Sequence, residues 1–393
     1  MSLVGLLLWD YTIYVKSAVS LAITALLPVI TFADTLWRQY GLNAAHTSYN
    51  NSETILDPSN VSHLTLLWTS DIFNGEATAP TLGPTSVFVG SNGRVRALKE
   101  SNGVQRWVRF SCSGVATVQP AFSRGLLIVG DGGGDLAAYD AGTGSRVWCD
   151  DESGSITSAP AVTDDSVYIT NGGAAIAVDQ FTGTRRWTFT PADFSPLTET
   201  PAIANGVVYV TGGSSVFALD SSTGHRIWRH DLEAQTKISA PSVRNGIVYV
   251  GGSALYALDA VNGHVVWRNR NAGVNVSTPA IAEGRVFVNA EDPDFGLWAF
   301  DAQTGAFLWR SQMPGELQAT VSVANGVVYD IADDGELMMF EAALGTFLGS
   351  LADPDGKPFR SAFGSQPIVA NGTVYVATGD FQSPNRVDAF HLP

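Results

Sequence analysis

Pro201-Ala-Ile-Ala-Asn-Gly-Val-Val-Tyr-Val210-Thr-Gly-Gly-Ser-Ser-Val-Phe-Ala-Leu-Asp220-Ser-Ser-Thr-Gly224-His-Arg-Ile-Trp228 is the stretch on which the fold turns. Asn-Gly between apolar residues is a hairpin signal, and the Gly-rich and Asp-Ser-Ser-Thr-Gly stretches mark two further reversals. In the last of these, Asp hydrogen-bonds the backbone of its own turn and Gly supplies the positive φ that a tight reversal requires. Four short strands joined by three turns make an antiparallel meander, the unit of a propeller blade.

The unit recurs in both directions. Trp68, Trp107, Trp148, Trp187, Trp228, Trp267 and Trp309 follow one another at spacings of 39, 41, 39, 41, 39 and 42. The Thr-Gly turn stands before Trp148 (Asp140 to Gly144), Trp187 (Asp179 to Gly183), Trp228 and Trp309 (Asp301 to Gly305), with Asp259-Ala-Val-Asn-Gly263 as a variant before Trp267. First strands begin near Pro80, Pro120, Pro160, Pro201, Pro241, Pro279, Val321 and Pro367, which counts eight blades. The eighth copy lacks a Thr-Gly turn and a Trp strand, while Leu64-Thr-Leu-Leu-Trp68 is a last strand without its first three. The expectation is therefore an all-β, eight-bladed β-propeller of four-stranded antiparallel blades, the last blade closed by an N-terminal strand so that no sheet is left open. Gly349 stands where the seventh blade would carry its Trp.

Composition agrees: 45% hydrophobic residues, 15% charged and 40 glycines suit a packed β-protein rich in turns. A net charge of -15 repels phosphate backbones and anionic lipid, so nucleic acid is not an expected partner. Residues 1–33 read as a signal peptide: Lys16, the apolar run Ala18 to Ile30 and Thr31-Phe-Ala33 fit cleavage before Asp34. That run falls short of the roughly 20 apolar residues a span needs, so the mature chain is expected to carry no membrane span; a membrane anchor made of both N-terminal apolar stretches is the competing reading. Residues 34–60 then form a lead-in segment and 61–393 the propeller, monomeric and periplasmic or secreted.

The pattern Ala-x-Asp-x-x-Thr-Gly-x-x-x-Trp, nearly complete around Trp228 and Trp309, resembles the tryptophan docking motif of the pyrroloquinoline-quinone-like (PQQ-like) repeat family. The resemblance covers about Val61 to Pro393, and the lead-in from Trp37 to Asn50 is similar to the segment opening many such proteins. It implies that each indole packs on the neighbouring blade. For the quinoprotein dehydrogenases of the family it implies PQQ on the propeller axis between a Trp and a disulfide of two adjacent cysteines, beside Ca²⁺, with an Asp as general base. This chain has no adjacent cysteine pair and no Cys-x-x-Cys-His for a haem. Its two cysteines, Cys112 and Cys149, follow the tryptophans of successive repeats, and sequence leaves open a disulfide or two buried thiols.

No catalytic residues are assigned, no metal site is assigned, and the cofactor-binding residues are unknown. The turns between second and third strands do offer carboxylates for Ca²⁺: Asp131 and Asp135, Glu291, Asp292 and Asp294, Asp333, Asp334 and Glu336, and Asp380. Solvated turns are made of the same residues, and none of the spacings is that of an EF-hand. His225 and His264 share a position after the turn Gly, whereas His46, His63, His230 and His391 are scattered, which makes no catalytic pattern. Asn50, Asn60, Asn275 and Asn371 sit in glycosylation sequons. Two functions follow: a non-catalytic exported propeller presenting its loops to a protein or cell-envelope partner, or a PQQ- and calcium-dependent dehydrogenase of an alcohol or sugar. The nearest analogue of the first is the eight-bladed lipoprotein of the outer-membrane barrel-assembly machinery, from which this chain departs in lacking a lipid-bearing Cys.

Overall fold

A computed structural model describes residues 36–70, 77–114, 118–151, 154–233, 238–273, 276–290, 295–313, 320–332, 335–352, 359, 366–378 and 385–393. The chain divides into two compact units, Met1–Asp34 and Thr35–Pro393. The proposed signal peptide belongs to the first and lies outside the described residues.

The second unit is an eight-bladed β-propeller with no α-helix among the described residues. Blade 4, the stretch quoted above, consists of Ala202–Ala204, Val207–Gly212, Ser215–Asp220 and Arg226–Asp231, each pairing antiparallel with the next. The other innermost strands are Thr81–Gly83, Ala121–Ser123, Ala161–Val162, Ser242–Arg244, Ala280–Ala282, Ser322–Ala324 and Ile368–Ala370. Each of the eight begins one residue after the position expected from sequence. The eighth blade takes Thr65–Thr69 as its outermost strand, antiparallel to Arg386–His391 with Thr65 opposite His391, so the N-terminal strand closes the ring as expected.

Blades are joined by a repeated lock. The seven indole N–H groups donate to a carbonyl in the next blade's Thr-Gly turn or its counterpart, at 2.8–3.2 Å: Trp68 to Glu100, Trp107 to Ala141, Trp148 to Gln180, Trp187 to Ser221, Trp228 to Ala260, Trp267 to Ala302 and Trp309 to Ala342. In blades 3, 4 and 5 the second-strand Tyr168, Tyr209 and Tyr249 donate to the same carbonyls as the Trp of their own blade. Each turn Gly has φ between 69° and 75° and lies beneath the preceding blade's indole; a Cβ at Gly263 would fall 2.6 Å from the Trp228 ring. Sequence supplied only the conformational reason for that glycine. A β-bulge at the residue before each of the seven Trp, and before Gly349 in blade 7, recurs in every blade and sets the ring toward its neighbour where there is one. Most of the core lies between blades, as where Tyr209 and Trp228 of blade 4 meet Val248, Val250 and Leu258 of blade 5.

The joint between blades 7 and 8 is built differently. Gly349 occupies the indole's place opposite Met339, and the nearest side chain to it is that of Ser62, from the single turn of 3₁₀ helix Val61–His63. Blade 8 reaches its outermost strand from another part of the chain, so it has no Thr-Gly turn on which a Trp could dock.

Residues 37–50 run around the inside of the ring. Carbonyls of Trp37, Arg38, Ala44, Ala45, Thr47 and Ser48 accept, at 2.6–2.8 Å, the N–H groups of Leu82, Phe122, Ile203, Val243, Ile281 and Val323, from the innermost strands of blades 1, 2, 4, 5, 6 and 7. At blade 3 the Gln39 side chain stands in for a peptide group, accepting from Val162 N–H and donating to Val162 C=O. Asn50 completes the circuit by donating to Val369 C=O of blade 8, and Tyr49–Asn50 adds a short parallel strand to blade 7. This hoop answers the inner edge strands, whose N–H groups would otherwise face the bore without partners.

Candidate functional site

Of the carboxylates singled out from sequence, Asp131, Asp135 and Glu336 are among the described residues. Asp131 is buried and holds its own turn closed: Oδ1 accepts the N–H of Gly133 and of Asp135, and Oδ2 that of Ser113. Asp135 has its pKa raised, first by burial and then by the neighbouring Asp131, Asp151 and Asp150, a like-charge setting. Glu336 is described, and its backbone carbonyl accepts from Ala332 N–H. Glu291, Asp292, Asp294, Asp333, Asp334 and Asp380 lie outside the described residues, as does Asn275. Among the described residues no group of three His, Cys, Asp or Glu side chains is placed to hold a metal ion. Asp131, the buried one of the three described carboxylates, would have to give up its three backbone N–H groups to hold Ca²⁺ beside a quinone, so it does not fit that cofactor as it stands.

Cys112 and Cys149 are joined in a disulfide, which decides the pairing that sequence left open. Cys149 lies on the outermost strand of blade 2 and Cys112 just after that of blade 1, so the bond links two blades at the rim, away from the bore. Of the sequons, Asn50 is buried with its amide engaged, Asn60 donates to Ile55 C=O and accepts from Asp57 N–H, and Asn371 is exposed at an Asn-Gly reversal.

Polar groups that sequence left aside gather in the bore. The Tyr40 hydroxyl sits 3.0 Å from Thr278 Oγ1 and 2.9 Å from Thr320 Oγ1; burial, the main cause, raises its pKa. His46, on the hoop, is fully buried, with Nδ1 3.0 Å from Pro241 C=O and its ring edge-on to Tyr40; burial lowers its pKa to about 4, which keeps it neutral. Gln366 accepts from Gly41 N–H and donates to Ser48 Oγ and Val321 C=O, and Gln119 donates to Pro80 C=O. These groups mostly answer one another, which makes the bore a packed joint.

Blade 7 carries a titratable group that departs from the repeat. Where the other seven blades place Val89, Val129, Ile169, Val210, Val250, Val288 and Val376, blade 7 places Asp330. It is fully buried; Oδ1 accepts from the Asn289 side chain at 3.0 Å and from Ile331 N–H at 2.9 Å. Burial pushes its pKa up to about 7, so it holds a proton near neutrality. The substitution is visible in sequence once the blades are superimposed on their second-strand Tyr or Phe, Ile128 in blade 2. His46 carries no such signal.

Near the loop ends of blades 4 and 5 a cleft of about 230 Å³ is lined by Thr198, Glu199, Thr211, Gly212, Gly213 and Ile238. That is smaller than most small-molecule sites, which run from roughly 300 Å³ upward.

Comparison with known proteins adds the following. The chain matches the repeat-family model described as outer membrane protein assembly factor BamB over residues 91–241 and 212–381. It is 32% identical to 1-butanol dehydrogenase (cytochrome c) of Thauera butanivorans over 36% of this chain and 23% of that protein. It is 30% identical to quinohemoprotein alcohol dehydrogenase ADH IIB of Pseudomonas putida over 39% of this chain and 26% of that protein. The matches thus span about a quarter of those relatives' length. Among solved structures, quinohemoprotein alcohol dehydrogenase from Comamonas testosteroni superimposes with a TM-score of 0.75 at 17% identity, covering 92% of this chain and 81% of that one. BamB from Moraxella catarrhalis superimposes with a TM-score of 0.66 at 16% identity, covering 84% and 99%. At such identities the two structures share the fold.

Proposed function

Because the chain belongs to the PQQ-like repeat family whose model is described as outer membrane protein assembly factor BamB, we propose that it is an exported, non-catalytic propeller that presents its loops to a protein partner of the cell envelope. Fold alone does not settle this, since the same propeller carries dehydrogenases and BamB. What favours the binding role is the state of Asp131: the buried one of the described candidate ligands already answers three backbone N–H groups. The lone disulfide supports the same reading, because it lies at the rim between blades 1 and 2. In this reading the mature chain begins at Asp34, is monomeric and is periplasmic or secreted; among the described residues no helix is long and apolar enough to cross a membrane.

The second reading, a PQQ- and calcium-dependent dehydrogenase of an alcohol or sugar, draws on the partial identity with the two dehydrogenases. Adding PQQ and Ca²⁺ to the purified protein separates the readings. The binding role expects neither a quinone absorbance that survives gel filtration nor dye-linked oxidation of a panel of alcohols and sugars. Saturable oxidation would overturn it. Sequencing the N-terminus of the protein recovered from cells checks export: a start at Asp34 is expected, and a retained Met1 would sink it.

A further inference from the structure

The bore contains a polypeptide held in the way a bound peptide is held. Six of its contacts with the inner strands use hoop carbonyls, one uses the peptide-like amide of Gln39, and one the amide of Asn50. This is edge-strand recognition, in which main-chain bonds supply the grip. Side chains add anchors to that grip: His46 Nδ1 lies 3.0 Å from Pro241 C=O, and Gln366 holds Gly41 N–H and Ser48 Oγ. Trp37 is buried against Leu82 of blade 1 and Tyr375 of blade 8, and Tyr40 reaches Thr278 and Thr320.

The seated hoop also carries local costs of its own. Leu42, His46 and Ser48 adopt positive φ of 75°, 55° and 50° to follow the circle. Trp37 Nε1 and His46 Nε2 are buried without a hydrogen-bond partner. Those costs vanish when the segment leaves, whereas the strands within each blade keep their antiparallel partners.

We propose that the bore is a peptide-binding ring and that residues 37–50 are its resident, displaceable ligand, a hoop that seats and unseats as one unit while the eight blades stay folded. An extended peptide is the class of ligand that the emptied ring accepts. The inference goes beyond the partner reading and holds or fails independently of it, since it concerns the inside of the ring.

A protease site placed at the exposed pair Thr54 and Ile55, in the otherwise full chain, turns the hoop into a separable fragment. After cleavage the ring is expected to keep its circular dichroism and elution volume. The fragment should exchange for a fluorescein-labelled peptide of residues 36–54, giving saturable anisotropy. A fragment that cannot be exchanged without unfolding the blades, or a ring that collapses when it leaves, would overturn the proposal.

Hydrogen exchange on the intact chain decides the matter even if the insertion prevents folding. Gln39→Ala removes bonds only at blade 3. If the hoop moves as a unit, exchange should rise about tenfold or more at Ile281 and Val323, in blades 6 and 7, with second-strand amides such as Val210 unchanged. Acceleration confined to Val162 would refute it.

Discussion

Seven joints of this ring carry an indole and the eighth carries Gly349, and the contrast shows what the indole is for. At each Trp joint two parts meet: the ring from one blade, and from the next a turn whose Gly leaves room for it and whose carbonyl accepts its N–H. Blade 8 has no such turn, because its last strand is Thr65–Thr69 from the other end of the propeller's sequence. With no socket there is no plug, and a 3₁₀ turn at Val61–His63 and strand pairing with Arg386–His391 close the ring. Trp and Gly thus form one interaction spread over two repeats, which is why they are lost together.

The contrast can be broken from the socket side or the plug side. The largest effect belongs to Trp228→Ala, which empties a buried interblade site and leaves Ala260 C=O with one donor, Tyr209, in place of two; a loss of about 3–5 kcal/mol is expected from chemical denaturation. Next comes Gly263→Ala, whose Cβ meets the Trp228 ring and whose φ of 75° suits few side chains. Its expected cost is about 1–3 kcal/mol, and in the Trp228→Ala background it should shrink, since the clash has gone while the backbone strain remains. The smallest effect is at the odd joint. Gly349→Trp should gain no stability and lose up to about 1 kcal/mol, because no turn carbonyl awaits the indole and Ser62 lies in the way. A stabilising Gly349→Trp would show that the indole works by apolar area alone.

The blades were legible because their determinants are side chains in register. Asp220 can be read as a turn residue, and in the structure its Oδ1 accepts from Thr223 N–H and Oγ1 as that reading requires. The eight first strands and the split last blade were readable for the same reason. The hoop was not legible, since a carbonyl grip is available to any residue and leaves no mark in sequence; Gln39, Tyr40, His46 and Asn50 act through their side chains, but they belong to no repeat against which they could be compared. Asp330 lay between these cases. It is conspicuous against seven Val or Ile residues, but a single stretch of Val-Val-Tyr-Asp-Ile looks like an ordinary strand until all eight are superimposed. At Asp131 the turn reading is the one the structure bears out: an Asp that sits first in a Gly-rich turn has its own backbone to satisfy.

A ring of like units has no natural zero, and eight near-copies invite miscounting: a closing strand could as well find the wrong neighbour after seven blades, or after nine. The hoop works against this as an index. Its residues meet the blades in sequence order, Trp37 at the first and Asn50 at the eighth, so a ring of any other number would leave a partner over at one end. The segment without a repeat is thus the one that numbers the repeats.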